Sequence, residues 1–258
     1  MPRVHPRAEV DPAAKLAQSA AVGAFAVVGP EVELADDTWI GPHAYVTGRT
    51  TVGPGTRIFS FAVVGEDPQD KSFAGETSEL LIGAGNVIRE HCSIHTGTRK
   101  GGRVTRIGDD NLFMNSVHVG HDAEIGSHCI LATFCAVAGH VVIEDHAVLG
   151  GYTGLHQYGR VGESAMVAAG SKCAQDVPPF ALVRGDRARL AGINVIGMKR
   201  RGFSREQLAA VKRAYHLIFS SKLRLPVALA RVREELRDVP EVERLLAFLE
   251  SSTRGFCR

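Results

Sequence analysis

Large apolar residues recur every six positions along most of this chain, and that period decides what it can fold into. The series runs Val10, Leu16, Val22, Val28, Leu34, Ile40, Val46, Val52, Ile58 and Val64, then resumes at Ile82, Ile88 and Ile94. From Ile107 it continues through Phe113, Val119, Ile125, Leu131, Val137, Ile143, Leu149, Leu155, Val161 and Val167 to Cys173. An α-helix cannot hold a six-residue register on one face, and a flat strand repeats every second residue. A chain that turns a corner every six residues can hold it. The large side chain then fills the interior. Four positions later the side chain is usually small (Ala20, Ala26, Ala44, Ala62, Ala123, Cys129, Cys135, Ala147, Ala165), as a site beside a corner requires. Glycine follows many of the apolar residues, as at Gly23, Gly41, Gly120 and Gly150, where a Cβ would restrict the backbone.

This is the pattern of the hexapeptide-repeat family, which the chain resembles over most of residues 10–177. The resemblance implies a left-handed parallel β-helix: a triangular prism with three hexapeptides per coil. Equivalent residues would stack every eighteen positions, about 4.8 Å apart along the axis. The expected organisation is an all-β solenoid over residues 1–185 and an α-helical C-terminal domain over 186–258. Residues 66–79 and 98–106 break the register and are expected to protrude as loops, either as passive surface or as binding segments. Asp176-Val177-Pro178-Pro179 ends the repeat, because proline cannot donate to a strand ladder. Beyond it, Ser204-x-x-Gln207 reads as a capping box opening a helix, with further helices around residues 227–236 and 241–249.

Composition sets limits. A formal charge of +2 does not suggest a nucleic-acid partner. No apolar run is long enough for a membrane span, and the first residues do not read as a secretory signal. The cysteines number five and never form Cys-x-x-Cys, so buried reduced thiols are expected.

The candidate chemistry lies in Asn115-Ser116-Val117-His118-Val119-Gly120-His121-Asp122. With Val119 inside, His121 falls near a corner, pointing outward. Eighteen residues on, one coil away, is Gly139, followed by His140. A solvent-facing imidazole beside a glycine N–H suits acyl transfer: the base activates a hydroxyl and the N–H stabilises the oxyanion. Asp122 is placed to fix the imidazole tautomer. On the same evidence a lone outward histidine is more often a bystander.

The chain is also similar, nearly end to end, to the UDP-N-acetylglucosamine acyltransferase family. The resemblance rests on Gln69-Asp70, Ala74-Gly75-Glu76, Ile94-His95-x-Gly97-Thr98, His118-x-x-His121-Asp122, Ala138-Gly139-His140, His156-Gln157, Ala174-Gln175-Asp176-Val177-Pro178-Pro179, Lys199-Arg200-Arg201-Gly202-Phe203-Ser204-Arg205-Glu206 and Ser252-Thr253-Arg254-Gly255. It implies a cytoplasmic homotrimer with active sites between neighbouring prisms. The reaction implied moves an (R)-3-hydroxyacyl group from acyl carrier protein to the glucosamine 3-OH of UDP-N-acetylglucosamine, the first step of lipid A synthesis, with no metal or cofactor. By resemblance His121 is the general base, Asp122 its orienting partner and Gly139 the oxyanion donor. Asp70, His95, His118, His140, His156 and Gln157 match groups lining the substrate groove, and Asn194, Arg200 and Arg201 match its nucleotide end. A guanidinium fork also suits a pyrophosphate on chemical grounds, while a solvated basic turn is the plainer reading. Ala169 matches the position that measures the acyl chain, and its small size implies a long one.

Two positions depart from the family. The first loop reads Asp70-Lys71-Ser72-Phe73 where the family commonly has Asp-Leu-Lys before an aromatic, so the lysine stands one position early. Ile196 stands where relatives can carry an acidic residue. Rival readings are another hexapeptide-repeat acyltransferase, a zinc enzyme of the γ-carbonic-anhydrase type held by His118, His121 and His140, or an inert scaffold.

Overall fold

A computed structural model describes residues 2–258 and shows a left-handed parallel β-helix followed by a short hairpin and helices. Among the described residues three sheets of eleven, nine and eight strands form the faces of a prism, parallel throughout except for the last strand of the first. They are called here the first, second and third faces, in the order in which the chain visits them. Pairing follows the eighteen-residue repeat: Ala21–Val22 pairs with Trp39–Ile40, and Ile130–Leu131 with Val148–Leu149. Every strand in the regular coils is two residues long, one facing out and one in. The inward residues Ile40, Val64, Ile94, Val119, Leu131 and Val137 are fully buried. Each contributes about 1.5–3 kcal/mol from leaving water.

The corners explain the small residues and the aromatic ones. At most corners one residue adopts left-handed backbone, including Phe25, His43, Phe61, Asp122, His140 and Tyr158, each with φ near +60°. L-residues rarely adopt this conformation, so side-chain stacking helps hold it. Phe25, His43, Phe61 and His91 form a continuous ladder along one edge, with ring centroids 5.0–5.3 Å apart. At the small buried positions, threonine hydroxyls bond back to the turn, as Thr50 Oγ1 does to the Thr47 carbonyl at 2.7 Å. Cys92, Cys129 and Cys135 take the same place in other coils, whereas Cys173 fills the large interior position in register with Leu155. All five cysteines are free and buried. Burial pushes the Cys129 and Cys173 thiols up to about 12, which keeps them protonated and unreactive.

Two insertions interrupt the register, and both leave the edge between the second and third faces. Arg57 pairs with Val87, thirty residues on, because residues 67–78 loop out between Val63–Glu66 and Glu79–Ile82. Ser93 pairs with His118, twenty-five on, because residues 96–103 loop out between Ser93–His95 and Val104–Ile107. The second excursion closes before residue 106: Val104 already pairs with Glu79, so the phase shift is absorbed at the base of the loop.

The last parallel strand, Ala181–Arg184, is followed by antiparallel Arg189–Ile193. Four α-helices follow, α1 Val195–Arg200, α2 Arg205–Tyr215, α3 Leu225–Glu235 and α4 Pro240–Ser251, with a π-helical turn His216–Ser220 continuing α2. The Ser204–Gln207 capping box opens α2 with both reciprocal bonds. The six-residue α1 has no counterpart in the sequence pattern, since it is too short for an apolar period and contains Gly197. Tyr215 donates to the Pro179 carbonyl, and Arg160 lies 4.1 Å over the Phe248 ring, so α2 and α4 cover the end of the solenoid. Among the described residues no helix is long and apolar enough to cross a membrane.

Candidate active site

The edge between the second and third faces carries both loops and, one coil below them, His121 and Asp122. Asp122 takes the left-handed corner position with φ of 58°, a conformation that a short polar side chain tolerates. Its carboxylate is 1% exposed and fully engaged. Oδ1 accepts the Thr98 N–H at 2.7 Å. Oδ2 accepts the Thr98 hydroxyl at 2.7 Å and lies 2.7 Å from His121 Nδ1. Because a carboxylate accepts and does not donate, Nδ1 of His121 carries a proton, and in the neutral ring Nε2 presents a lone pair.

Gly139 lies directly beneath that lone pair. A Cβ there would stand 2.6 Å from both Cε1 and Nε2 of His121, so only glycine lets the ring approach the backbone of the next coil. The Gly139 N–H bonds to no acceptor among the described residues. A base and a free N–H donor thus sit side by side.

His121 does not face open solvent, as its corner position implied. The residue is 7% exposed, because the turn at Arg99–Gly101 folds down over the dyad. A Cβ on Gly101 would lie 2.1 Å from Asp122 Cγ. The repeat locates the corner but says nothing of a loop that covers it.

His140 and Tyr158 continue the corner ladder. His140 Nε2 is 3.6 Å from Asp122 Oδ2, its ring meets His121 edge-on at 5.0 Å, and Tyr158 stacks on its other side at 4.4 Å. Burial holds the His140 imidazole below its ordinary range, against the pull of Asp122. On the second face His118 Nδ1 is 2.9 Å from Ser93 Oγ, and burial, then the neighbouring His95 and His121, lowers its basicity too. His95 is buried behind it; its Nδ1 donates to the Asp67 carbonyl at 2.8 Å and its Nε2 has no partner among the described residues.

These groups border a cleft of about 620 Å³ lined by Gln69, Asp70, Lys71, Lys100, His118, Gly120, His121, Ala138, Gly139, Gln157 and Tyr158. One chain therefore gathers Asp70, His118, His121, Gly139 and Gln157, with Asp122, His140 and His95 packed behind or beside them. His156 stays apart: it is exposed, and its Nδ1 takes a 3.0 Å hydrogen bond from Arg254.

The remaining expected residues lie on other edges of the prism. Asn194 caps α1, accepting Gly197 N–H and donating to the Ser164 carbonyl, both at 2.9 Å. Arg201 is paired with Glu163 at 2.5 Å and also bonds the Ser164 hydroxyl. Ser164 is a left-handed corner residue between the third and first faces. Within the chain, Asn194 and Arg201 thus serve the junction between solenoid and helices, while Arg200 is exposed. Ala169 is exposed on the edge between the first and second faces. The candidate residues occupy all three edges, so one chain does not bring them together.

Several cleft residues have no signal in the repeat. Thr98 and Lys100 lie inside a register break, where counting by eighteen fails. Tyr158 was within reach, since it stands eighteen positions after His140.

His121, Asp122 and His140 also place three ligand-type atoms within 4.8 Å of one another. The set fits a metal poorly as arranged: Nδ1 of His121 is committed as a donor to Asp122, whose carboxylate also takes both Thr98 bonds. His118 is not part of that set.

Comparison with known proteins agrees with this architecture. The family described as "Udp N-acetylglucosamine O-acyltransferase; Domain 2" matches residues 176–257, and bacterial transferase hexapeptide repeats match residues 105–139. The acyl-[acyl-carrier-protein]–UDP-N-acetylglucosamine O-acyltransferase of Myxococcus xanthus is 45% identical over the full length of both chains. The structure of LpxA from Acinetobacter baumannii superposes with a TM-score of 0.95 at 39% identity, covering 99% of each chain. The Moraxella catarrhalis enzyme of the same name gives 0.96 at 36%, again over 99% of each. The chain belongs to the UDP-N-acetylglucosamine O-acyltransferase family.

Proposed function

We propose that this protein transfers an (R)-3-hydroxyacyl group from acyl carrier protein to the glucosamine 3-OH of UDP-N-acetylglucosamine, the step that opens lipid A biosynthesis. The observation that carries the reading is His121 Nε2 beside a Gly139 N–H that has no acceptor among the described residues, with Nδ1 anchored on a buried carboxylate. In this reading Nε2 takes the proton of the sugar hydroxyl as its oxygen attacks the thioester carbonyl. The carbonyl oxygen becomes an oxyanion that accepts the Gly139 N–H. Collapse breaks the C–S bond, and the proton on His121 passes to the departing thiolate, leaving an ester and a free carrier thiol. Asp122 keeps the imidazole in the required tautomer and stabilises its cationic form.

Asp70, His118, His140 and Gln157 bind and orient the sugar, and His95 supports His118 from behind. Asn194, Arg200 and Arg201 are assigned to the nucleotide, His156 to the substrate groove and Ala169 to the end of the acyl chain. Their distribution over three edges of one prism supports a homotrimer, because threefold packing sets an edge of one prism beside a different edge of its neighbour. The cytoplasm, where nucleotide sugars and acyl carrier protein are made, is the compartment this reaction requires.

The test is product analysis by mass spectrometry with two acceptors, the natural 3-hydroxyl sugar and its 3-amino counterpart. The reading predicts an O-acylated product from the first. Amide product alone would move the activity to the amino sugar, and no product from either would remove it.

A further inference from the structure

Two lysines reach the cleft from different loops. Lys71 belongs to the first excursion and Lys100 to the second, and both line the cleft beside Asp70, His121 and Gly139. Neither forms an ion pair among the described residues. Asp70, the obvious counter-ion, is turned back on its own loop. Its Oδ1 accepts the Ser72 N–H at 2.7 Å, and that bond, then the Ser72 hydroxyl, keeps its carboxyl below the usual range.

The Lys100 ammonium is instead seated on Ser72 Oγ at 3.1 Å, bridging the two loops. An ammonium has three protons to donate, so this single bond leaves two for a ligand. The seat is firm. Lys100 sits in the Arg99–Gly101 turn, whose neighbour Thr98 grips Asp122 and whose Gly101 backbone packs on the same carboxylate. Arg99 N–H bonds Glu76 Oε1 at 3.1 Å, tying the turn to the first loop. The turn that buries the dyad therefore also sets the distance between a positive charge and His121. Ser72 is the position at which the family commonly carries a lysine, and here it holds a lysine that comes from elsewhere.

We propose that Lys100 is the phosphate-binding cation of this cleft, delivered to Ser72 by the second loop and passed from its hydroxyl to a phosphate oxygen when substrate enters. The inference rests on the acyl-transfer reading, in which both substrates carry phosphate: the diphosphate of the nucleotide sugar and the phosphodiester of the carrier's thiol-bearing arm.

The test compares wild type with Lys100→Met, Lys100→Arg and Ser72→Ala. Lys100 is exposed, so folding should survive all three changes. Lys100→Met should raise the KM of one phosphate-bearing substrate about tenfold, and more than it lowers kcat. Lys100→Arg should recover most of that loss, and Ser72→Ala should give a smaller effect of the same kind. A rise confined to the nucleotide sugar assigns the diphosphate, and one confined to the acyl carrier assigns the phosphodiester. Unchanged KM for both in an active enzyme overturns the proposal and leaves acyl transfer standing. If wild type transfers nothing, the acyl-transfer reading fails by itself, and calorimetric titration with UDP decides about Lys100. Weaker binding by Lys100→Met supports it, and equal or absent binding overturns it.

Discussion

Thr98 donates both its backbone N–H and its hydroxyl to the Asp122 carboxylate, each at 2.7 Å, from a loop twenty-four residues upstream. With His121 Nδ1 on the same carboxylate, Asp122 is held on three sides in a site it could not otherwise occupy without leaving a buried charge unpaired. Thr98→Val keeps the shape and removes one donor. A hydrogen bond to a buried charged group is worth about 1.5–3 kcal/mol, so kcat should fall roughly ten- to a hundredfold. Thr98→Ser should stay near wild type. In a His121→Ala background the Thr98 change should cost almost nothing further. Multiplying effects in the double variant would show that Thr98 acts on stability alone.

Gly139 is constrained by contact and not by backbone angle. Gly139→Ala would place a methyl 2.6 Å from His121 Nε2 in this geometry, so the ring must move. A displacement of about 1 Å from reacting geometry costs on the order of a hundredfold in rate. Activity should fall by that order while the circular dichroism spectrum and melting temperature remain close to wild type. Full activity in the alanine variant would show that His121 works from another position.

Two half-buried imidazoles give the fold a pH dependence. Burial lowers the basicity of His118 and His140 in the folded chain, whereas unfolded histidine titrates at about 6.5. As pH falls through that value the unfolded chain takes up protons that the folded chain refuses. Their contribution to stability is therefore complete above about 6.5 and is lost as pH drops towards the folded values. Melting temperatures between pH 8 and pH 5 should decline, and less so in His118→Gln or His140→Gln. Parallel curves for wild type and both variants would assign the decline to other groups.

Ala169 offers a methyl where the acyl chain is proposed to end. Ala169→Met should shift preference to a shorter donor, since each methylene in an apolar pocket is worth about tenfold or more in discrimination. Competition between donors of different length in one reaction reads this directly. An unchanged preference would remove Ala169 from chain measurement.

Most of the solenoid was legible because its period is independent of distance along the chain. Val119 inside, His121 at the corner and Gly139 one coil on all follow from counting by six and eighteen. Counting fails where the chain leaves the coil. Thr98, Lys100 and Gly101 meet Asp122 and the cleft through a loop whose path depends on its own turns, among them the left-handed Gly102. That loop also buries His121, which the repeat alone assigns to the surface. Asn194 and Arg201 show the opposite problem. Their side chains suit a nucleotide, yet within one chain they cap α1 and pair with Glu163. A sequence records the donor groups but not which acceptor reaches them first.

The central claim is that His121 is the base of an acyl transfer. The measurement that tests it most directly is initial-rate transfer from a panel of (R)-3-hydroxyacyl carrier proteins to UDP-N-acetylglucosamine, by wild type and by His121→Ala. General-base catalysis contributes about 10²–10⁴-fold, so the variant should lose at least two orders of magnitude with every donor that wild type accepts. Transfer by His121→Ala within a few fold of wild type would contradict the account.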